Sequence, residues 1–530
     1  MHEHNNSIQR QNGSPERPEY ETYLDAGEYE DMTILTRRAV VPLDGRITHL
    51  NNNLMLFGPP SCGKSRYVIG PNLMSCSGSY VVIDPKGALH AQYGAGLADA
   101  GYDVRLVDFK RPARSTTHWS PFDAVRDDQD LYSVCEHIVC AHGRNQRDPF
   151  WDTTATQLLE AIALLAEAES PNDQPRLEDV LEYARKLYLP SAHRNNGDLC
   201  DPCALDDVMD ETGPELDRVL ELWSMVRKCA EATWRSIKVS MNANLQPLNH
   251  TGLTELMDGV GERLDPAALG DKPSALFISI SDTDRSMDFL AKLCVEQIVH
   301  ALVGHADDDC DGVLPVPVRL VLDDFATMGR FDGVPSWVNS VRSRGIGITM
   351  VCQSIAQLFG VYGSEAHGLI AACDMCLFVG AQNDPDTEHY IARRLGLDGQ
   401  APTWNGTAWA FVRGHDPHVG LLFEQEHHPN YLRFEMARWA REEPELFGLS
   451  PADSLDVANV PDAANVPDAD DVLDADDVLD ADDEQDYLDI VLDWLDDEQD
   501  YLDDERDYLD DERDYLDIVP NWLDGEDIPF

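Results

Sequence analysis

Positive charge is scarce in this chain: across 530 residues, 40 Lys and Arg face 98 Asp and Glu, a formal net charge of −58. A surface of that sign repels nucleic acid over most of its area. This excludes a protein that simply coats DNA and confines any DNA contact to a local place, such as the inside of a ring. Long apolar runs are missing as well. A membrane span needs roughly 18 or more apolar residues, whereas Gly368 to Ala381 is short and carries Asp374, so no part of the chain is expected to cross a bilayer. No leader pattern opens the sequence, and its 12 Cys therefore read as reduced thiols of a cytosolic protein.

What is present suits two folded domains plus tails, the usual outcome at this length. The acid is unevenly spread. From Pro451 onward there are 32 acidic and 2 basic residues, a net −30, which leaves −28 for the first 450. That stretch is repetitive. Ala-Asn-Val-Pro-Asp-Ala occurs twice from Ala458, Asp-Asp-Val-Leu-Asp-Ala twice from Asp470, and Asp-Asp-Glu-(Gln/Arg)-Asp-Tyr-Leu starts at Asp482, Asp496, Asp503 and Asp510. Acidic low-complexity sequence does not recover its ordering entropy alone, so residues 441–530 are expected to be a disordered tail, or a repeated acidic-aromatic peptide that docks on a basic partner. The acidity of the rest also fits a saline cytosol, and composition leaves both causes open.

The chain is organised around Gly58-Pro59-Pro60-Ser61-Cys62-Gly63-Lys64-Ser65, which follows the strand-like Asn53 to Phe57. Two Gly and a Lys-Ser pair at this spacing form a P-loop. Backbone N–H groups wrap the phosphates, Lys64 reaches the β and γ oxygens, and the Ser65 hydroxyl holds Mg²⁺. The strand-to-helix junction adds the helix's unpaired N–H donors, so ATP with Mg²⁺ is the expected ligand. Cys62 sits near that helix start, where a thiolate is favoured.

Short apolar runs bounded by turn signals suggest parallel strands at 79–84, 102–108, 275–280, 319–324, 346–352 and 375–380, beside 53–57. Residues 1–32 are expected to be a disordered arm and Ile34 to Leu50 a lead-in β segment. Residues 127–261 carry helical spacing throughout, with Asp152 placed to cap one long helix. The expected fold is therefore α/β: a mostly parallel sheet flanked by helices from 33–126 and 262–440, interrupted by an all-helical insertion and followed by the tail.

A P-loop ATPase also needs a carboxylate on Mg²⁺ and a group that orients the attacking water. Leu320-Val321-Leu322-Asp323-Asp324 supplies Asp323 for the metal and Asp324 as base. The segments around 60 and 323 are expected to meet at adjacent strand ends. Gln353, ending the next strand, is the candidate γ-phosphate sensor, and Arg342 a candidate arginine finger delivered to a neighbouring subunit. Cys200-Asp201-Pro202-Cys203 with His193 has zinc-knuckle spacing but lacks a second pair.

Taken together, the P-loop with Pro71-Asn72-Leu73, Asp84-Pro85-Lys86-Gly87, Asp148-Pro149-Phe150-Trp151, Asp323 to Arg330, Gln353 to Leu358, and Cys373-Asp374 with Gly380 resemble the TraG/TraD family of type IV secretion coupling proteins, in order from about Asn51 to Leu397. The resemblance implies a hexameric RecA-like ATPase at the inner face of the membrane. Such a protein passes relaxase-bound single-stranded DNA to type IV secretion channel proteins during conjugation, with the helical insertion choosing cargo. Three departures stand out. Asp323-Asp324 replaces the family's usual Asp-Glu, which sets the base about one methylene back and implies slow hydrolysis. Ala88 replaces a Glu. The membrane helices that usually begin the family are absent, which implies a peripheral protein on a separate membrane subunit. An ATP-binding docking receptor with little hydrolysis is the alternative reading.

Overall fold

The computed structural model describes residue 18 and residues 21–24, 26–29, 31–140, 149–170, 175–192, 202–212, 216–259 and 261–442. Its centre is a nine-stranded sheet. After β1 (Met32–Ile34) and β2 (Val40–Pro42), which pair antiparallel as a separate ribbon, come β3 (Leu54–Phe57), β4 (Ser79–Asp84), β5 (Asp103–Asp108), β6 (Ser274–Ser279), β7 (Val318–Leu322), β8 (Ile346–Cys352), β9 (Met375–Val379), β10 (Thr407–Val412) and β11 (His418–Leu421). The order across the sheet is β11-β10-β9-β3-β8-β7-β4-β6-β5. From β9 to β5 every pairing is parallel, and β3, β4, β6 and β9 are buried along their whole length. Strands covered on both faces read as largely apolar runs, which is why these four were visible in the sequence; β5, β7 and β8 keep enough of that character to be read as well.

Helices cover both faces. α1 (Gly45–Thr48) is a single turn. α2 (Gly70–Met74) continues the P-loop, and α3 (Ala88–Asp99) follows β4. Between β5 and β6 lie α4 (Asp128–Val139), α5 (Phe150–Glu169), α6 (Leu177–Lys186), α7 (Ala204–Glu211), α8 (Asp217–Arg227), α9 (Glu231–Leu245) and α10 (Thr251–Asp258); then come α11 (Asp288–Asp309), α12 (Val334–Ser340), α13 (Ile355–Tyr362), α14 (Glu365–Ala371), α15 (Pro385–Leu395) and α16 (Tyr431–Glu442). Alternation along the strands sorts the core. Met55, Phe57, Ile83, Leu320, Leu322 and Met350 join α11 to α15 and the α4–α10 helices in one apolar cluster, whereas Leu56, Tyr80, Val82, Val321 and Val351 face α2, α3 and α16. The helices between β5 and β6 therefore share their core with the sheet. No helix among the described residues is long and apolar enough to cross a membrane.

The structure departs from the sequence reading in four places. The described part of residues 1–32 is packed rather than disordered: Tyr29 is buried against Phe423, and the Tyr23 ring stacks on His427 with centroids 4.0 Å apart. The β10–β11 hairpin at the sheet edge was not foreseen, although Gly414 (φ 82°) between two strand-like runs is a hairpin signal. The cap of α5 is Pro149, and Asp152 is the third residue of its first turn. The P-loop leads first into a π-wound turn at Ser65–Ile69, and only then into α2, whose Pro71 fits a first turn because it has no N–H to satisfy. Residues 443–530, with all of the acidic repeats, lie outside the described residues.

Candidate nucleotide site

Gly58 turns off the end of β3, and the flanking strands close on it. Its N–H donates to Cys352 O at the end of β8 (3.2 Å), and a Cβ there would come within 2.9 Å of Val379 O at the end of β9. Only glycine fits that gap. Gly380 (φ 77°) faces the loop from β9, and a Cβ on it would lie 2.9 Å from Cys62 Cβ. Ser61 (φ 60°) and Gly63 (φ 84°) both take left-handed backbone. Alternation of that kind aims successive N–H groups into one hollow, the geometry of an anion nest, directly before a helical turn. Pro59, Pro60 and Cys62 complete the loop without entering a strand. Lys64 folds over it, its Nζ donating to Gly58 O (2.7 Å) and Pro59 O (3.0 Å), and Ser65 begins the helical turn.

Asp323 follows β7 directly. Desolvation first, and then the charge of Asp324, push its carboxyl up to about 7; the Asp324 N–H on its Oδ1 (3.0 Å) and Lys64 pull the other way, and Asp84 adds to the rise. Asp84 was not foreseen as part of the site. It is buried at the end of β4, where Ile83 pairs with Leu322, and it accepts the N–H groups of Ala88 (3.0 Å) and His90 (2.9 Å). Lys64, Asp84, Asp323 and Asp324 thus form one electrostatic group. The clue in the sequence was the place of Asp84 at the end of an apolar run, the same position as Asp323. Asp324 has φ 53° and opens a turn closed by the Thr327 N–H on its carbonyl (2.8 Å).

The expectation that the segments around 60 and 323 meet at adjacent strand ends is corrected: β8 lies between β3 and β7. Strands are about 4.8 Å apart, so Lys64 and Asp323 ride on strands about 10 Å apart, a gap that a lysine side chain and a phosphate–metal unit span. Gln353, at the end of β8, occupies that gap, and its N–H is held by Gln357 Oε1 (2.9 Å). Gln357 Nε2 reaches Thr327 Oγ1 (2.9 Å), linking the ends of β8 and β7.

Arg342 is elsewhere. It lies in the 3-10 turn Val341–Arg344 that precedes β8, so it sits at the starting edge of a parallel sheet whose finishing edge carries the P-loop. Seven residues of strand span about 23 Å. The guanidinium is exposed, with one long contact to Gly45 O (3.5 Å). The expected thiolate at Cys62 is reversed, since burial pushes that thiol up despite Lys64 nearby. His193 and Cys200 lie outside the described residues; Cys203 is buried at the start of α7.

A family model described as "Type IV secretory system Conjugative DNA transfer" matches residues 26–398. A probable conjugal transfer protein TraG of Sinorhizobium fredii is 24% identical over 345 residues, 63% of this chain and 50% of its own length; a conjugal transfer protein TraG of Escherichia coli is 24% identical over 344 residues, 59% and 50%. The chain spans about half the length of the curated relatives it matches. Among solved structures, the plasmid coupling protein TrwB bound to a non-hydrolysable ATP analogue aligns with a TM-score of 0.56 at 15% identity, covering 78% of this chain and 96% of that one. TrwB in complex with ADP and Mg²⁺ gives 0.54 at 16%, covering 77% and 90%. At these identities the likeness establishes the fold, a RecA-like one.

Proposed function

The chain belongs to the type IV secretory conjugative DNA-transfer family, and from that membership we propose that it is an ATP-driven coupling protein that recruits relaxase-bound single-stranded DNA and moves it toward a type IV secretion channel. The observation that carries the reading is the arrangement of Lys64, Asp323 and Asp84 at the finishing ends of the parallel strands β3, β7 and β4, beside a loop whose backbone is turned to bind an anion. The residues fit a magnesium nucleotide: Gly58, Gly63 and Gly380 where a Cβ would collide, a lysine within the loop, and a carboxylate across the gap.

In this reading Lys64 exchanges the Gly58 and Pro59 carbonyls for phosphate oxygens, Ser65 and Asp323 hold Mg²⁺, and Gln353 senses the γ-phosphate. Magnesium supplies neutralisation of charge on the phosphates. Asp324 accepts a proton from the attacking water, one methylene short of the reach of a glutamate. Arg342 serves a neighbouring subunit in a homo-hexamer, a role with which its distance from its own P-loop is compatible. Residues 127–261 select cargo, the acidic repeats dock on a basic partner such as the relaxase, and a separate membrane subunit holds the protein at the inner face of the membrane.

DNA-stimulated ATP turnover tests the proposal. Lys64→Ala is expected to lower it at least about 100-fold, as loss of a transition-state donor does, and Asp324→Glu to raise it severalfold. No turnover in wild type or either variant, with ATP-dependent rings still forming, would favour the docking receptor instead.

A further inference from the structure

On the sheet edge opposite the P-loop, three metal-binding side chains of different chemistry meet. His305 lies in the last turns of α11, Cys310 is its C-cap, and Asp271 ends the turn before β6. His305 Nε2 is 2.8 Å from Asp271 Oδ1 and 3.4 Å from Cys310 Sγ, and the three ligand atoms all lie within 4.8 Å of one another. We propose that Asp271, His305 and Cys310 form a binding site for a divalent cation of the zinc class, with solvent in the fourth position.

A nitrogen, a sulfur and a carboxylate oxygen are the donors zinc takes. Zinc bonds of about 2.0 Å to nitrogen and 2.3 Å to sulfur, at a tetrahedral angle, set those two atoms roughly 3.5 Å apart, close to the observed 3.4 Å. The nitrogen and the carboxylate oxygen should stand roughly 3.3 Å apart. The observed 2.8 Å is a hydrogen bond, which Asp271, half exposed, can open by rotating. The other ring nitrogen is already oriented. His305 Nδ1 lies 3.0 Å from Asp309 Oδ2, the carboxylate–histidine arrangement that fixes the tautomer of a metal ligand.

The backbone beneath is fixed. Leu302 and Ala306 are buried on the same helix, the Gly312 N–H donates to Ala306 O (2.8 Å), the Val313 N–H to Cys310 O (3.1 Å), and the Val316 N–H to Gly270 O (2.8 Å). Without a cation the same contacts are a histidine ring hydrogen-bonded between two carboxylates with a thiol at its edge, and only a metal makes Cys310 a ligand. The site would clip the end of α11 to the start of β6, two residues from Asp307, whose carboxylate holds Arg344 (2.8 and 2.6 Å) in the turn that carries Arg342.

Cobalt(II) is a probe suited to an acidic chain, because carboxylates alone give no thiolate charge-transfer band. Titrated into the chelator-treated full chain, it is expected to give that band at one equivalent, to lose it on addition of Zn²⁺ or in Cys310→Ser, to weaken at least tenfold in His305→Gln, and to persist in Cys200→Ser. Independently of any variant, Zn²⁺ should slow alkylation of Cys310 at least tenfold by peptide mass spectrometry. Absence of the band in wild type, its survival in Cys310→Ser, or alkylation of Cys310 at the same rate with and without Zn²⁺ would overturn the site.

Discussion

Asp288, the first residue of α11, shows what burial does to a single carboxylate here. Its Oδ1 is buried without a hydrogen-bond partner, Oδ2 has only a 3.4 Å contact with Arg285, and desolvation pushes the pKa up to about 6, against the partial opposition of Arg285. A folded pKa above the ordinary value of 3.8 means that the protonated form is the stabilising one. The contribution is complete below about pH 4 and lost as pH rises through 6. Relative to Asp288→Asn, wild type is expected to lose about 2 kcal/mol between pH 4 and 7, read from urea unfolding at each pH; parallel curves would show that the carboxylate is not the cause. The same residue-level physics separates what could be foreseen from what could not. Lys64 and Asp323 were legible because spacing and strand-end position announce them. The raised thiol of Cys62 and the part played by Asp84 were not, since both depend on neighbours from other strands.

At the scale of elements, α16 docks on α3 through the Arg433–Asp99 ion pair, the Tyr93–Phe434 ring contact and one close approach at Gly96. A Cβ on Gly96 would lie 2.3 Å from two ring atoms of Phe434 and 2.9 Å from its Cα. Alanine is the better helix former by about 1 kcal/mol, yet overpacking of this kind costs about 1–3 kcal/mol, so the contact decides the sign. Gly96→Ala is expected to lower the melting temperature and expose α16 to proteolysis, and Phe434→Leu in the same chain to recover part of the loss. A melting temperature unchanged or raised in the single variant would show that α16 is not seated there. Strands buried on both faces were read from the sequence because their apolar runs are unbroken. The β10–β11 hairpin carried a turn signal at Gly414, but its place at the sheet edge beside β9, through pairings such as Ala408 with Val379, is set by a neighbour that sequence does not display.

For the whole molecule, the length of β8 separates Arg342 from the P-loop of its own chain, and the proposed finger role is therefore tested between copies. If it acts there, Lys64→Ala and Arg342→Ala should each lose most ATP turnover, the finger alone being worth about 10³ or more. Mixing the two inactive chains should restore about a quarter of the wild-type rate in a head-to-tail ring, where one interface in four has both residues intact. No recovery on mixing would remove Arg342 from the site.

Taken alone, the sequence determined the local chemistry of this protein. A Gly-rich loop with Lys64 and Ser65, apolar strand runs that lead into Asp84, Asp323 and Gln353, and an acidic tail all come from contiguous patterns, which the chain carries whether folded or not. The tertiary structure decided the order in which those strands lie. It put β8 between the P-loop and Asp323, brought Asp84 into their electrostatic group, sent Arg342 to the opposite edge, and gathered Asp271, His305 and Cys310. Such juxtapositions follow from long-range packing of one buried face on another, and no local pattern specifies them.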